Sequence, residues 1–102
     1  MSLAEVNRLQ DHTTNALYYF YQSTKIKETF NTWLKIADNL EKLPESYIVQ
    51  SQIHTAYKNA IRLSPELWRN KLLAKLLSLY EKHGRILEAE DLRAIITKKL
   101  KI

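Results

Sequence analysis

The chain of 102 residues contains no cysteine, one glycine and two prolines. Without cysteine it can form no disulfide, no thiolate zinc site and no cysteine nucleophile, a composition compatible with a reducing compartment. So few glycines and prolines leave few positions at which a helix would be broken, which favours a few long helices over short strands joined by tight turns. A single glycine also rules out a glycine-rich phosphate-binding loop.

Long apolar runs are missing as well. The longest run covers residues 16–21, whereas a membrane-spanning helix needs about 20 apolar residues. The first five residues, MSLAE, lack the basic head and the apolar stretch of a signal peptide. We therefore expect no membrane partner and a cytoplasmic or otherwise intracellular protein.

The residue types that usually act in catalysis or metal binding do not follow the spacing of any known motif. His12, His54 and His83 are not spaced as metal ligands. No H-E-x-x-H motif and no paired-carboxylate arrangement occurs either. We predict no catalytic residue, no metal site and no cofactor, and hence a non-enzymatic protein.

The composition is typical of a globular protein, and charge is distributed unevenly along the chain. Apolar residues make up 45% and charged residues 26% of the chain, which is typical of a folded protein, and the length predicts a single domain over 1–102. The net charge is +5. Residues 1–46 hold five basic and six acidic residues, whereas residues 47–102 hold eleven basic and five acidic ones. An acidic partner, protein or nucleic acid, would be drawn to the second half.

Apolar spacing predicts an all-α fold of four to five helices. Apolar residues from Ile26 to Leu40 recur at steps of three and four, the period of one helix face. The aromatic-rich run 16–21 would also suit a buried strand, but no other segment could pair with it, so we interpret it as helix. The predicted elements are an N-terminal helical segment over 2–22 and helices over 24–43, 46–63, 65–83 and 86–99. We expect antiparallel helical hairpins, stacked as a short α-solenoid-like or bundle domain.

The boundaries of these helices follow from individual residues. Ser64 can cap a helix with its hydroxyl group, and Pro65 suits the first helical position, where no backbone hydrogen bond is lost. Gly84 can adopt the left-handed conformation that ends a helix. Residues 12–15 interrupt the apolar pattern of the first segment, and residues 23–24 allow a kink or a new start.

Part of the chain resembles a tetratricopeptide repeat. The residues that carry the resemblance are spaced like the first helix, the turn glycine and the small second-helix residue of that repeat: Leu73, Leu76, Leu77, Tyr80, Gly84 and Ala89. Residues 57–65, YKNAIRLSP, look like the closing half of such a repeat, while Arg93 stands where the family usually has an aromatic residue. Residues 53–96 therefore resemble a divergent tetratricopeptide-repeat-like module, related in shape to half-tetratricopeptide and pentatricopeptide modules. The resemblance implies a pair of helical hairpins.

Basic side chains recur at helical spacing on two predicted helices. The first stripe is His54, Lys58 and Arg62, and the second is Lys71, Lys75, Ser78 and Lys82. Such stripes are most often solvated surface. The alternative interpretation is a basic groove, lined by the third to fifth helices, that receives acidic peptides or phosphates. The residues predicted to contact a partner are Tyr57, as an aromatic floor, and Lys58, Arg62, Arg69, Lys71 and Lys75.

Three functional hypotheses follow from these patterns. The first is a non-enzymatic protein–protein interaction or scaffold module that binds an acidic peptide or partner protein through the basic groove. The second is a nucleic-acid-binding helical protein that uses the basic half on phosphates. The third is a homodimer. A helix cannot point five consecutive bulky side chains the same way, so at least one of Tyr18, Tyr19 and Tyr21 should be exposed. Most of this run is expected to pack in the core, and the alternative is that the exposed rings form a partner or self-association surface.

Overall fold

The computed structural model describes the backbone of residues 3–100 and the side chains of residues 12–98. Its elements are five α-helices: α1 (Leu3–Ile26), α2 (Phe30–Leu40), α3 (Tyr47–Leu63), α4 (Glu66–Lys82) and α5 (Ile86–Leu100). No strand occurs within residues 3–100, and the predicted all-α fold is confirmed. In the same range no helix combines the length and the apolar character needed to cross a membrane.

The helices fall into two compact units. The first unit, Met1–Leu63, contains α1, α2 and α3, and α2 packs against both of the others. The second unit, Ser64–Ile102, contains the hairpin of α4 and α5. The single domain over 1–102 and the stacking of hairpins stay predictions.

The first helix, α1, is one uninterrupted element of 24 residues. The predicted interruption at residues 12–15 and the predicted new start at residues 23–24 are therefore wrong. Ser23 and Thr24 lie inside the helix, where their hydroxyl groups donate back to carbonyls of the preceding turn, at 3.1 Å to Tyr19 and 2.6 Å to Tyr21, instead of capping a new helix. The aromatic-rich run lies within this helix, as predicted.

The second helix begins later than predicted, at Phe30 instead of residue 24, and ends at Leu40 instead of residue 43. Thr29 sets its start, because the Thr29 hydroxyl oxygen accepts a hydrogen bond from the backbone N–H of Thr32 at 3.1 Å. The predicted apolar face is confirmed from Trp33 to Leu40, where Trp33, Ile36, Ala37 and Leu40 are buried. Its predicted first residue, Ile26, instead ends α1 and is 89% exposed, so that part of the prediction is wrong.

The third helix starts where a serine caps it. The hydroxyl oxygen of Ser46 accepts from the N–H of Val49 at 3.1 Å, and its carbonyl accepts from the N–H of Gln50 at 2.9 Å. The hydroxyl group thereby satisfies one of the four donors left open at a helix start, and the carbonyl accepts the first hydrogen bond of the helix itself. The predicted range of 46–63 agrees with the observed helix to within one residue.

The start of α4 differs from the prediction by one position. Pro65 holds the N-cap with an extended ψ of 152°, and its carbonyl accepts from the N–H of Trp68 at 3.0 Å. The prediction that Ser64 caps this helix is therefore wrong, and Ser64 is buried. Glu66 is the first helical residue, where a carboxylate complements the helix dipole.

Gly84 ends α4 as predicted, with a φ of 73°. Its N–H donates to the carbonyl of Glu81 at 3.2 Å, and the N–H of Arg85 donates to the carbonyl of Tyr80 at 2.8 Å. These two bonds define a Schellman motif. Apart from Gly84 itself and its two chain neighbours, no atom lies within 4 Å of the position that a Cβ on Gly84 would take, so the backbone conformation alone requires glycine.

The hairpin of α4 and α5 has a core built mainly from leucine. Its buried side chains are Leu72, Leu73, Leu76, Leu79 and Tyr80 from α4, and Ala89 and Leu92 from α5. Arg93 Nη2 donates to Glu81 Oε1 at 2.9 Å between the two helices. Because both of these side chains are about half exposed, the ion pair is worth at most about 1 kcal/mol, and apolar packing dominates the hairpin.

Candidate partner-binding surfaces

The six residues predicted to contact a partner divide between two helices. Tyr57, Lys58 and Arg62 lie on α3 in the first unit, and Arg69, Lys71 and Lys75 lie on α4 in the second unit. A groove shared by these helices stays a prediction.

Tyr57 is part of the core and is only 7% exposed. Its hydroxyl group donates to Glu41 Oε1 at 3.2 Å. Burial, followed by the charge of the neighbouring Glu41 carboxylate, raises the pKa of the Tyr57 phenol well above its usual range. The prediction that this ring forms the floor of a groove is therefore wrong, because the ring faces the interior of the first unit.

The predicted basic stripe on α3 does not lie on one exposed face. Lys58 and Arg62 are exposed, but His54 is only 4% exposed. Each step of four residues turns a helix by about 40° beyond a full turn, so three such positions drift across the boundary between surface and core. The stripe is reduced to Lys58 and Arg62.

Arg62 is held by an acidic residue of its own unit. Its Nη2 donates to Glu28 Oε1 at 2.8 Å and to Asn59 Oδ1 at 3.3 Å. Trp33 Nε1 donates to the same Glu28 oxygen at 3.2 Å. The hydrogen bond from Arg62, and then that from Trp33, lowers the pKa of the Glu28 carboxyl group. A partner that used Arg62 would have to compete with Glu28 for its guanidinium group.

The second stripe lies entirely at the surface. Lys71, Lys75, Ser78 and Lys82 are all exposed, and the buried side chains of α4 lie on a separate arc of the helix, centred about 130° away. We refer to these four residues as the α4 cationic face. Along the helix axis, the span from Lys71 to Lys82 is about 16 Å.

Two large apolar side chains lie at the start of α4. Leu67 is 88% exposed and Trp68 is 48% exposed. The Lys71 ammonium group lies 5.2 Å from the centroid of the Trp68 ring, within the range of a cation–π contact. Charge and an aromatic surface therefore occur side by side. Sequence reasoning missed this pair, although the spacing of three between Trp68 and Lys71 already places both on one helix face.

Arg69 does not belong to the α4 cationic face. It is half-buried, and its Nη2 lies 3.5 Å from the carbonyl oxygen of Ser64, at the connection that precedes α4. On a helix it projects about 160° away from Lys71. The structure therefore does not bring this predicted contact residue together with the lysines.

Two acidic side chains of the second unit are bound by arginines. Glu81 accepts from Arg93 at 2.9 Å, and Glu88 accepts from Arg85 at 3.1 Å. Residues 64–102 contain nine basic and five acidic residues. The unit therefore keeps a cationic excess, to which the α4 cationic face contributes three ammonium groups.

The aromatic-rich run on α1 exposes two of its rings. Tyr18 is 69% and Tyr19 is 67% exposed, which confirms the prediction that at least one of these tyrosines reaches the surface. Tyr21 instead packs edge-to-face on Trp33, with ring centroids 6.2 Å apart, and burial raises the pKa of its phenol. Tyr21 is therefore not part of an exposed tyrosine pair, and self-association through the other two stays a prediction.

An aromatic groove in the first unit was not predicted from the sequence. It has a volume of about 310 Å³. Its lining residues are Tyr21, Trp33, Tyr47, Ile48, Ser51, Gln52 and Thr55. None of these residues carries a charge, so the groove offers an acidic partner no electrostatic attraction.

No group of three or more histidine or acidic side chains within the described part of the chain is arranged to hold a metal ion. No family model, no curated protein and no solved structure matches this chain. The resemblance of residues 53–96 to tetratricopeptide-like modules stays a prediction.

Proposed function

We propose that this chain is an intracellular, non-enzymatic interaction module, of divergent tetratricopeptide-like character, that binds an acidic segment of a partner protein. The observation that carries the proposal is the α4 cationic face, on which three lysines are exposed on one side of a single helix. An extended or helical segment with carboxylates at matching intervals can contact all three. The binding site is smaller than the groove predicted from the sequence, because Tyr57 is buried and Arg69 projects elsewhere.

The strength of such binding can be estimated from its parts. Exposed ion pairs contribute about 0.2–1 kcal/mol each, so three lysines alone support weak binding. Their larger effect is on the rate of encounter, because a surface of one charge sign attracts an oppositely charged segment from a distance. We therefore expect a reversible, salt-sensitive interaction.

Charge reversal on α4 tests the proposal. We expect Lys71→Glu with Lys75→Glu to weaken the binding of a Glu-rich peptide of 12 residues by about tenfold or more, because two attractive contacts become repulsive. Binding can be measured by fluorescence anisotropy of the labelled peptide, with circular dichroism to confirm that the variant is still helical.

The matched control is Lys27→Glu with Lys42→Glu, which changes the net charge equally at two exposed positions of the first unit. This variant should retain most of the affinity. Equal losses in the two variants would show that only net charge matters, and an unchanged affinity in the α4 variant would exclude the α4 cationic face as the site.

Nucleic-acid binding is the second candidate function. The contact between Lys71 and Trp68 favours it, because proteins that bind single strands combine cationic side chains with aromatic rings on which bases stack. A single-stranded oligonucleotide in the same assay separates the two functions. Tighter binding of the oligonucleotide than of the Glu-rich peptide, with a steep loss of affinity as salt is raised, would favour the nucleic-acid function.

A further inference from the structure

We propose that the acidic segment bound by α4 carries a large apolar side chain next to its carboxylates, and that this side chain docks on Leu67 and Trp68. The inference depends on the proposed function and specifies the partner further. A purely acidic segment would use only part of the surface that α4 presents.

The apolar pair and the lysines belong to one continuous surface. Six exposed residues of α4 form this surface: Leu67, Trp68, Lys71, Lys75, Ser78 and Lys82. With 3.6 residues per turn, their positions span an arc of about 100° around the helix axis. The apolar pair occupies the first turn of α4 and the α4 cationic face occupies the following turns, so one bound segment can contact both.

The two large side chains are the stronger part of this surface. Water contacts most of Leu67 and about half of Trp68, and burying apolar area against a partner releases that water. Burial of a large apolar side chain contributes more than an exposed ion pair, and tryptophan is one of the residues that most often dominate binding energy at interfaces. We therefore assign the main anchoring contact to the apolar pair and the orientation of the segment to the lysines.

The contact between Lys71 and Trp68 determines how close the acidic residue and the apolar residue of the bound segment should be. The ammonium group lies 5.2 Å from the ring centroid. When an acidic residue of the partner pairs with Lys71, the residues next to it in the partner segment therefore lie within reach of the Trp68 ring. The partner is expected to place its apolar side chain within about one helical turn of an acidic residue.

Charge argues against a second copy of the chain as the occupant of this surface, and the lack of a large aliphatic group argues against a nucleic acid. A second copy of the chain has a net charge of +5 and presents the same lysines, so its approach to α4 is opposed by repulsion. A nucleic acid has the right charge and can stack a base on Trp68, but it has no large aliphatic side chain to cover Leu67. An acidic segment with an apolar residue complements both parts of the surface.

Two peptides and two variants test the inference. The first peptide has 12 residues, rich in Glu with one central Leu, and the second has Ser in place of that Leu. We expect the unmodified protein to bind the Leu peptide about tenfold more tightly than the Ser peptide, since burial of one leucine is worth about that factor. In the variant Leu67→Ser with Trp68→Ser, this difference should disappear while the weaker affinity for the Ser peptide remains.

The matched control is Ile86→Ser with Leu87→Ser. These side chains are 68% and 77% exposed at the first turn of α5, so the control removes a comparable apolar area outside the proposed surface and should keep the tenfold difference.

Equal affinities of the unmodified protein for the two peptides would overturn this inference and leave the proposed function standing. Failure of both peptides to bind would overturn the proposed function itself. Two results would show that the occupant is not an acidic segment. One is tighter binding of a single-stranded oligonucleotide than of either peptide. The other is self-association, measured by light scattering, that the Leu67 and Trp68 substitutions abolish.

Discussion

At the scale of single residues, the structure separates side chains that the sequence pattern groups together. Tyr57 and Lys58 are neighbours on α3, yet one is buried and the other is exposed. Helical spacing predicts which residues share a face, but the partners packed against the helix decide which face is covered. Tyr57 is the clearest case. It was predicted to bind a partner, but it is buried in the core, and the ionisation of its phenol can be measured.

Tyr57 should make the stability of the first unit sensitive to alkaline pH. The pKa of its phenol is raised in the folded protein, mainly by burial and then by Glu41, so the unfolded chain loses this proton first. The contribution to stability is therefore fully present below about pH 10, the ordinary pKa of tyrosine, and is lost as the pH rises further. In a spectrophotometric titration of the six tyrosines, Tyr57→Phe should remove one ionisation from the part of the curve above the ordinary tyrosine range.

The same substitution also removes the hydrogen bond to Glu41, so we expect a loss of about 1 kcal/mol in the free energy of unfolding at neutral pH. Tyr18→Phe alters an exposed ring and should change stability by less than about 0.5 kcal/mol. If Tyr57→Phe left both the alkaline part of the titration and the stability unchanged, the hydrogen bond to Glu41 would not form in solution.

At the scale of elements, the helix boundaries show which local signals are reliable. Gly84 ended α4 as predicted, because a left-handed residue has few alternatives to glycine. The hydroxyl residues were ambiguous. Ser46 and Thr29 cap helices, whereas Ser23 and Thr24 bond back to their own helix. Both uses are open to serine and threonine, so the start of α2 could not be located from these residue types alone.

Substitution of Gly84 tests the end of α4 directly. Gly84→Ala should lower the free energy of unfolding by about 1 kcal/mol, because alanine is strained at a φ of 73°. No neighbouring atom would obstruct the new methyl group, so the loss measures backbone strain alone. Urea unfolding followed by circular dichroism gives the value.

Asparagine provides the control for this experiment, because it tolerates the left-handed conformation better than alanine does. Gly84→Asn should therefore lose less stability than Gly84→Ala. Equal losses in the two variants would show that something other than backbone conformation fixes glycine at this position.

At the scale of the whole molecule, charge is distributed unequally along the chain. Residues 1–63 contain seven basic and six acidic residues, whereas residues 64–102 contain nine basic and five acidic ones. The second unit therefore dominates the attraction of acidic molecules. It also holds the exposed lysines of the α4 cationic face.

This distribution predicts how salt should act on partner binding. Raising the ionic strength from 0.1 M to 1 M shortens the screening length from about 10 Å to about 3 Å. We expect the affinity for the Glu-rich Ser peptide to fall by about tenfold over this range, because exposed ion pairs supply most of its binding. The tenfold advantage of the Leu peptide should persist, since apolar burial is not weakened by salt. Isothermal titration calorimetry at the two ionic strengths provides the measurement, and a salt-independent affinity for the Ser peptide would contradict ionic binding.

The sequence by itself determined the helical class, four of the five helix regions to within about two residues at their starts, the glycine turn and the cationic character of the second half. These properties depend on local chemistry, that is on helical periodicity, on the conformational range of glycine and on charge, all of which act within a few residues. Tertiary structure alone decided that Tyr57 and His54 are buried, that Arg62 is bound by Glu28, and that Leu67 and Trp68 remain at the surface beside Lys71. Burial and pairing depend on residues distant in sequence, such as Glu28 and Arg62, and periodicity within one helix carries no information about which distant side chain will cover it.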